Sequence, residues 1–139
     1  MTRIDHIGIA TGDIEKASNF WVQVGLEAGA DYINEEQDVK IRMFYGRDKE
    51  GNKTHSKVEL IEALSESSPI AKFIDKKGVG VQQLAVSVDD IDLLISNLIK
   101  AGVRMINSEA TIGAGGHRIA FVHPESTGGV LVELVERIN

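Results

Sequence analysis

The chain repeats itself. Shifted by 77 positions, His6 falls on Gln83, Asp13 on Asp90, Ile14 on Ile91, Gly25 on Gly102 and Phe44 on Phe121. Shifted by 74, Val58-Glu59-Leu60-Ile61-Glu62 falls on Val132-Glu133-Leu134-Val135-Glu136. The offset drops by three because the first copy carries a longer loop. A duplication of this kind makes each half one supersecondary unit, so whatever is read in one copy has to hold in the other. A chain of 139 residues is long enough for one domain with a real core shared by the two halves. The expected organisation is a single domain over 1–139, with repeat one at about 1–64, a linking helix at about 68–77 and repeat two at about 80–139.

Residues 3–10 alternate as a strand, with Ile7 and Ile9 on one face and His6, Gly8 and Ala10 on the other. A helix follows over about 13–24, opened by Asp13 and stopped by Gly25. Its buried stripe is Ile14, Ala17, Trp21 and Val24. A weak strand is expected at 26–33, then the polar link Glu35-Glu36-Gln37-Asp38, a strand at 39–45, a polar hairpin loop from Gly46 to Lys57 that holds His55, and a strand at 57–63. Ser68-Pro69 opens a short helix to about Lys76. The second copy gives a strand at 80–88 and a helix at 90–101 with Ile91, Leu94, Ile95, Leu98 and Ala101 buried. It continues with a strand at 103–107, a glycine-rich loop at 111–117 and strands at 118–122 and 130–137. Each half is therefore βαβββ, an α+β pattern.

Such a sheet carries its helices on one face, and the other face either meets solvent or closes with its duplicate into a cavity. Strand parity puts His6, Glu59, Gln83 and Glu133 on that second face. One polar residue at an alternate strand position usually means only a wet face. Four, at equivalent positions of two repeats, make an octahedral ligand set of one imidazole nitrogen, two carboxylates and an amide oxygen. This set suits Mn²⁺, Mg²⁺ or Co²⁺ better than a closed zinc site. Gly8 and Ala85 are small and leave room beside it.

Composition narrows the function. The net charge of −6 argues against general nucleic-acid binding. An anionic ligand would need a local basic patch, with Lys40, Arg42, Arg104 and Arg118 as its candidate members. The chain has no cysteine, which excludes disulfides and thiolate chemistry and suits a reducing cytoplasm. No apolar run approaches the roughly 20 residues of a membrane span. Met1-Thr2-Arg3-Ile4-Asp5 has no signal-peptide pattern.

Several stretches together carry a resemblance that covers nearly the whole chain. They are Asp5-His6-Ile7-Gly8-Ile9-Ala10, Lys57-Val58-Glu59-Leu60-Ile61, Ser68-Pro69-Ile70-Ala71-Lys72-Phe73, Val88-Asp89-Asp90-Ile91 and Ile112-Gly113-Ala114. The most specific is Phe121-Val122-His123-Pro124-Glu125-Ser126-Thr127-Gly128-Gly129-Val130-Leu131-Val132-Glu133-Leu134. In these stretches the chain resembles the methylmalonyl-CoA epimerases of the vicinal oxygen chelate (glyoxalase) superfamily. The resemblance implies two paired βαβββ modules forming a curved mixed sheet around a metal site, often in a homodimer. It also implies an isomerase that epimerises an acyl-CoA substrate at C2 through a metal-stabilised enolate. The implied cofactor is a divalent metal ion, Co, Mn, Mg or Ni rather than Zn.

Carried over position by position, His6, Glu59 and Glu133 match metal ligands. Glu36 matches the general-base glutamate, with Glu35 as its immediate neighbour. Glu133, or a group near it, serves the opposite side. The chain departs from the family at two places. Gln82-Gln83 stands where a His-His pair is usual, so the second histidine ligand becomes Gln83. Gly113-Ala114-Gly115-Gly116 lacks the usual histidine, with His117 following close behind. His123 shapes a turn or borders the acyl-CoA. Two other readings stay open: a glyoxalase-type isomerase or lyase, and a metal-free small-molecule binding protein of the same superfamily.

Overall fold

The computed structural model describes residues 1–138, and the expected end of repeat two at 139 lies outside the described residues. The chain divides into two compact units. One runs from His6 to Gln82, and the other joins Met1–Asp5 to the chain from Gln83 onward. The first strand, β1 (Arg3–Ala10), is thus shared between them.

The unit from His6 continues with α1 (Ile14–Gln23), β2 (Glu27–Ala28), β3 (Tyr32–Asn34), β4 (Val39–Arg47), β5 (Lys53–Ala63) and α2 (Pro69–Lys77). β1 runs parallel to β5, with His6 opposite Lys57, Gly8 opposite Glu59 and Ala10 opposite Ile61. β4 is antiparallel to β5 and places Met43 opposite Glu59. β2 and β3 both pair antiparallel with β4.

α1 starts where Asp13 Oδ1 accepts the Lys16 N–H at 3.1 Å and Glu62 Oε1 accepts the Ile14 N–H at 2.9 Å. Its apolar stripe packs Ile14 against Phe44 and Leu60, with Ile9, Ala17, Trp21, Leu26 and Val58 around them. Burying each of the large side chains contributes roughly 1.5–3 kcal/mol. Val24 does not join the stripe. It sits just past the helix end and is 56% exposed.

The helices do not share one face. α2 sets Ile70, Phe73 and Ile74 against Ala10, Val39 and Ile61. Ile61 lies two residues beyond Glu59 in β5, so α2 covers the face that carries His6 and Glu59.

The second unit holds β6 (Gly80–Ser87, its first three residues belonging to the other unit), α3 (Ile91–Lys100), β7 (Thr111–Ile112), β8 (Arg118–Val122) and β9 (Leu131–Glu136). β6 runs parallel to β9, β8 antiparallel to β9, and β7 antiparallel to β8. The duplication extends to the caps. Asp90 Oδ1 accepts the Leu93 N–H at 3.1 Å, and Glu136 Oε1 accepts the Ile91 N–H at 3.0 Å. The core gathers Ile91, Ile95, Ala120, Val122 and Leu134, with Leu94 and Leu98 packed against them. Ala101, past the helix end like Val24, is exposed.

Local chemistry moves four boundaries from their expected places. The segment 103–107 is no strand. It keeps one bridge, Met105 to Val122, because the Asn107 side chain accepts the Phe121 N–H at 2.8 Å and replaces the ladder bond a strand would make. The strand expected at 26–33 is two short ones. The glycine-rich loop at 111–117 contributes β7 and a 3₁₀ turn at 114–116. The hairpin after β4 is tight, since Asp48 Oδ1 accepts the N–H groups of Glu50 and Asn52 at 3.0 and 2.9 Å. β5 therefore begins at Lys53, and His55 lies in a strand rather than a loop.

Candidate active site

In the first unit two of the expected ligands meet. His6 Nε2 lies 3.3 Å from Glu59 Oε2, and both side chains are 7% exposed. Their strands force the meeting. His6 and Gly8 share a face of β1, Glu59 sits opposite Gly8, and glycine leaves the space between them open. Two ligands at right angles, each about 2.1 Å from a metal, stand about 3.0 Å apart. The pair therefore has the spacing and the N/O chemistry of two adjacent ligands of a divalent cation.

The second unit repeats the layout. Gln83 sits opposite Leu131, and Ala85 sits opposite Glu133. Gln83 and Glu133 thus hold the register that His6 and Glu59 hold in the first unit, with Ala85 in place of Gly8. The face is not a wet one: Ala85 is fully buried and Val135, two residues past Glu133, is 3% exposed. The neighbouring Gln82 points to the opposite face of β6, and its Oε1 is buried without a hydrogen-bond partner. Among the described residues, no group of three or more His, Cys, Asp or Glu side chains is gathered closely enough to hold a metal on its own.

Glu36 lies in the exposed turn between β3 and β4. Glu35 O accepts the Asp38 N–H at 3.2 Å, and Asn34 Oδ1 accepts the Gln37 N–H at 3.0 Å. Glu36 is therefore held by its turn and not by the sheet.

Two further histidines are engaged by nearby backbone groups. The His117 ring accepts the Ile138 N–H at Nδ1 (3.1 Å) and faces Arg137 Nη1 through Nε2 (3.1 Å). His123 Nδ1 accepts the Glu125 N–H at 3.0 Å and shapes the turn at 124–126. The basic candidates are all engaged by carboxylates. Arg42 binds Asp31 and Glu15, Lys40 binds Asp31, Arg104 binds Glu125, and Arg118 binds Asp92. Hydrogen bonding to Arg42 holds the Asp31 carboxyl down to about 2. Arg42 and Arg118 fasten helix to sheet, Lys40 and Arg104 bind carboxylates in a loop and a turn, and none of the four stands as an unpaired cation. The Arg42–Glu15 and Arg118–Asp92 pairs join equivalent helix positions to the sheet from different strand positions, since Arg118 holds the register of Lys40.

One cluster had no clear signal in the sequence. Asp5, fully buried, accepts two bonds from Arg137, from Nε at 2.6 Å and Nη2 at 2.7 Å. His117 sits on the same guanidinium. This bidentate pair ties the chain just before His6 to the end of β9. The signal available was the acidic residue beside the candidate ligand, but its partner lies 132 positions away.

Among the described residues no helix is long and apolar enough to cross a membrane. The pattern of the Glyoxalase/Bleomycin resistance protein/Dioxygenase superfamily matches residues 5–121. The mitochondrial methylmalonyl-CoA epimerase of Bos taurus is 36% identical over 134 residues, which cover 95% of this chain and 73% of that protein. The ethylmalonyl-CoA/methylmalonyl-CoA epimerase of Cereibacter sphaeroides is 33% identical, over 95% of this chain and 96% of that protein. A glutamate-to-glutamine variant of the Streptomyces coelicolor methylmalonyl-CoA epimerase, solved in complex with 2-nitronate-propionyl-CoA, is 36% identical and superposes with a TM-score of 0.86. It covers 100% of this chain and 99% of its own. The fold, the duplicated polar register and these likenesses agree: the chain belongs to the methylmalonyl-CoA epimerases of the glyoxalase/bleomycin resistance protein/dioxygenase superfamily.

Proposed function

We propose that the chain is an isomerase that inverts C2 of methylmalonyl-CoA or a similar 2-substituted acyl-CoA. The observation that carries this reading is the buried His6–Glu59 pair, whose register Gln83 and Glu133 repeat, in a chain of the epimerase family. We assign His6, Glu59, Gln83 and Glu133 as the ligands of one divalent cation, Co, Mn, Mg or Ni before Zn, with the two units acting as one domain. Nitrogen, carboxylate and amide donors suit such ions, and no thiolate is present to favour zinc. When bound, the cation supplies Lewis-acid stabilisation of charge on the substrate's carbonyl oxygens, worth several kcal/mol.

The rest falls to side chains. Glu36 takes the C2 proton on one side, and the electron pair left behind delocalises into the thioester carbonyl. A proton is returned from the Glu133 side, which inverts the centre with no net change in oxidation state. Each such base contributes about 10²–10⁴-fold. A homodimer in the cytoplasm completes the proposal, supported by the family resemblance and by the absence of cysteine.

Metal removal tests it. Protein stripped with EDTA is expected to lose at least about 100-fold in epimerisation rate and to regain it with Co²⁺ or Mn²⁺. An undiminished rate in metal-free protein contradicts the ligand assignment. Acyl-CoA binding that survives chelation, with no turnover under any added metal, supports the binding-protein reading instead. Turnover of a hemithioacetal but not of the acyl-CoA supports the glyoxalase one.

A further inference from the structure

Asp38 is the only non-glycine residue with positive φ among the described residues, at +57°. A left-handed conformation is costly for residues other than glycine and is tolerated best by Asn and Asp. The equivalent connection in the second repeat, between β7 and β8, takes its positive φ at Gly115 and Gly116 (+72° and +78°). Where turn geometry alone is needed, the fold uses glycine. At Asp38 it keeps a side chain, and that side chain is bonded. Asp38 Oδ2 accepts from the Ser65 hydroxyl and, at 3.5 Å, from the Ser67 hydroxyl. Ser65 Oγ lies 2.9 Å from Ser67 Oγ. The Asp38 carbonyl accepts the Leu64 N–H at 3.0 Å, one step past the last pair of the β4–β5 ladder, Val39 with Ala63. The turn that carries Glu36 is therefore fastened at its far end to the segment joining β5 to α2. The strained residue is two positions from Glu36.

We infer that Asp38 is a positioning residue: its carboxylate, held by Ser65 and Ser67, sets the turn so that the Glu36 carboxylate meets C2 of the substrate. The inference rests on Glu36 being the base proposed above. Asp38→Gly is the informative change, because glycine accepts a φ of +57° and preserves the turn while deleting the tether. Ser65→Ala removes the main partner from the other side and leaves Asp38 untouched.

The test is steady-state epimerisation of methylmalonyl-CoA by metal-loaded wild type, Asp38→Gly, Ser65→Ala, Glu36→Gln and the Glu36→Gln/Asp38→Gly double variant, with thermal melts alongside. The expected result is a 10- to 100-fold fall in kcat for Asp38→Gly and a smaller fall for Ser65→Ala. KM should stay within about threefold and the melting temperature close to wild type, since a mislaid base slows the chemical step and not binding. In the double variant kcat should be no lower than in Glu36→Gln alone, because a tether for an absent base has nothing to position. Loss of activity in Glu36→Gln with wild-type kcat in both Asp38→Gly and Ser65→Ala overturns the positioning role and leaves the base standing. Wild-type kcat in Glu36→Gln overturns both.

Discussion

His6→Ala is expected to lower kcat/KM for epimerisation by about 10²–10⁴-fold and to lose bound metal with it. His6 is the one nitrogen donor in the proposed set, and its imidazole is buried 3.3 Å from Glu59 Oε2. Several kcal/mol of Lewis-acid stabilisation correspond to that range at about 1.4 kcal/mol per decade. The change also leaves the Glu59 carboxylate buried without its imidazole, so metal-free His6→Ala should melt below metal-free wild type. His6→Gln, which returns an amide donor, should fall between the two in metal content and in rate. Metal analysis and kinetics on the same samples check both parts. His6→Ala with stoichiometric metal and a rate within threefold of wild type would remove His6 from the site.

Arg137→Met is expected to be the most destabilising single change, at about 3–5 kcal/mol. The Asp5 carboxylate is fully buried and accepts two hydrogen bonds from Arg137, at 2.6 and 2.7 Å. Removing the guanidinium takes a bidentate cationic partner from a buried carboxylate and removes the group that the His117 ring faces. Deleting both charges removes the buried carboxylate together with its cation, so the Asp5→Leu/Arg137→Met double variant should recover much of the loss. Urea unfolding of the wild type, both single variants and the double gives the coupling directly. A cost under about 1 kcal/mol for Arg137→Met would show that solvent reaches Asp5 and satisfies it.

The two halves were legible because hydrophobic period and duplication supported each other. Ile14 and Ile91, Leu60 and Leu134, Glu62 and Glu136 occupy matching roles in both units, down to the cap each glutamate gives its helix, whereas the register matches Phe44 with Val122 and sets Phe121 opposite Glu133 on the other face. The site strands were legible for the same reason: parity alone puts His6 beside Glu59 once β1 lies against β5. What escaped was chemistry that sequence spacing does not encode. Asn107 reads as the end of a strand until its amide takes the Phe121 N–H. The stripe of α2 shows that the helix is buried, but Ile70 meets Ile61 and not Leu60 only because of where the chain turns after β5. Arg42 and Arg118 read as free cations suited to an anionic ligand until the fold brings Glu15, Asp31 and Asp92 to them. Glu36 was legible as an acidic residue in a link, whereas the left-handed Asp38 that shapes the link was not.

On this reading the chain moves the proton at C2. This is tested most directly by incubating one C2 epimer of methylmalonyl-CoA with the metal-loaded protein in D₂O and following the C2 proton by NMR. Both epimers are expected to appear, with deuterium at C2 of the inverted product. Inversion that retains the original proton, or no exchange under any divalent metal, would contradict it.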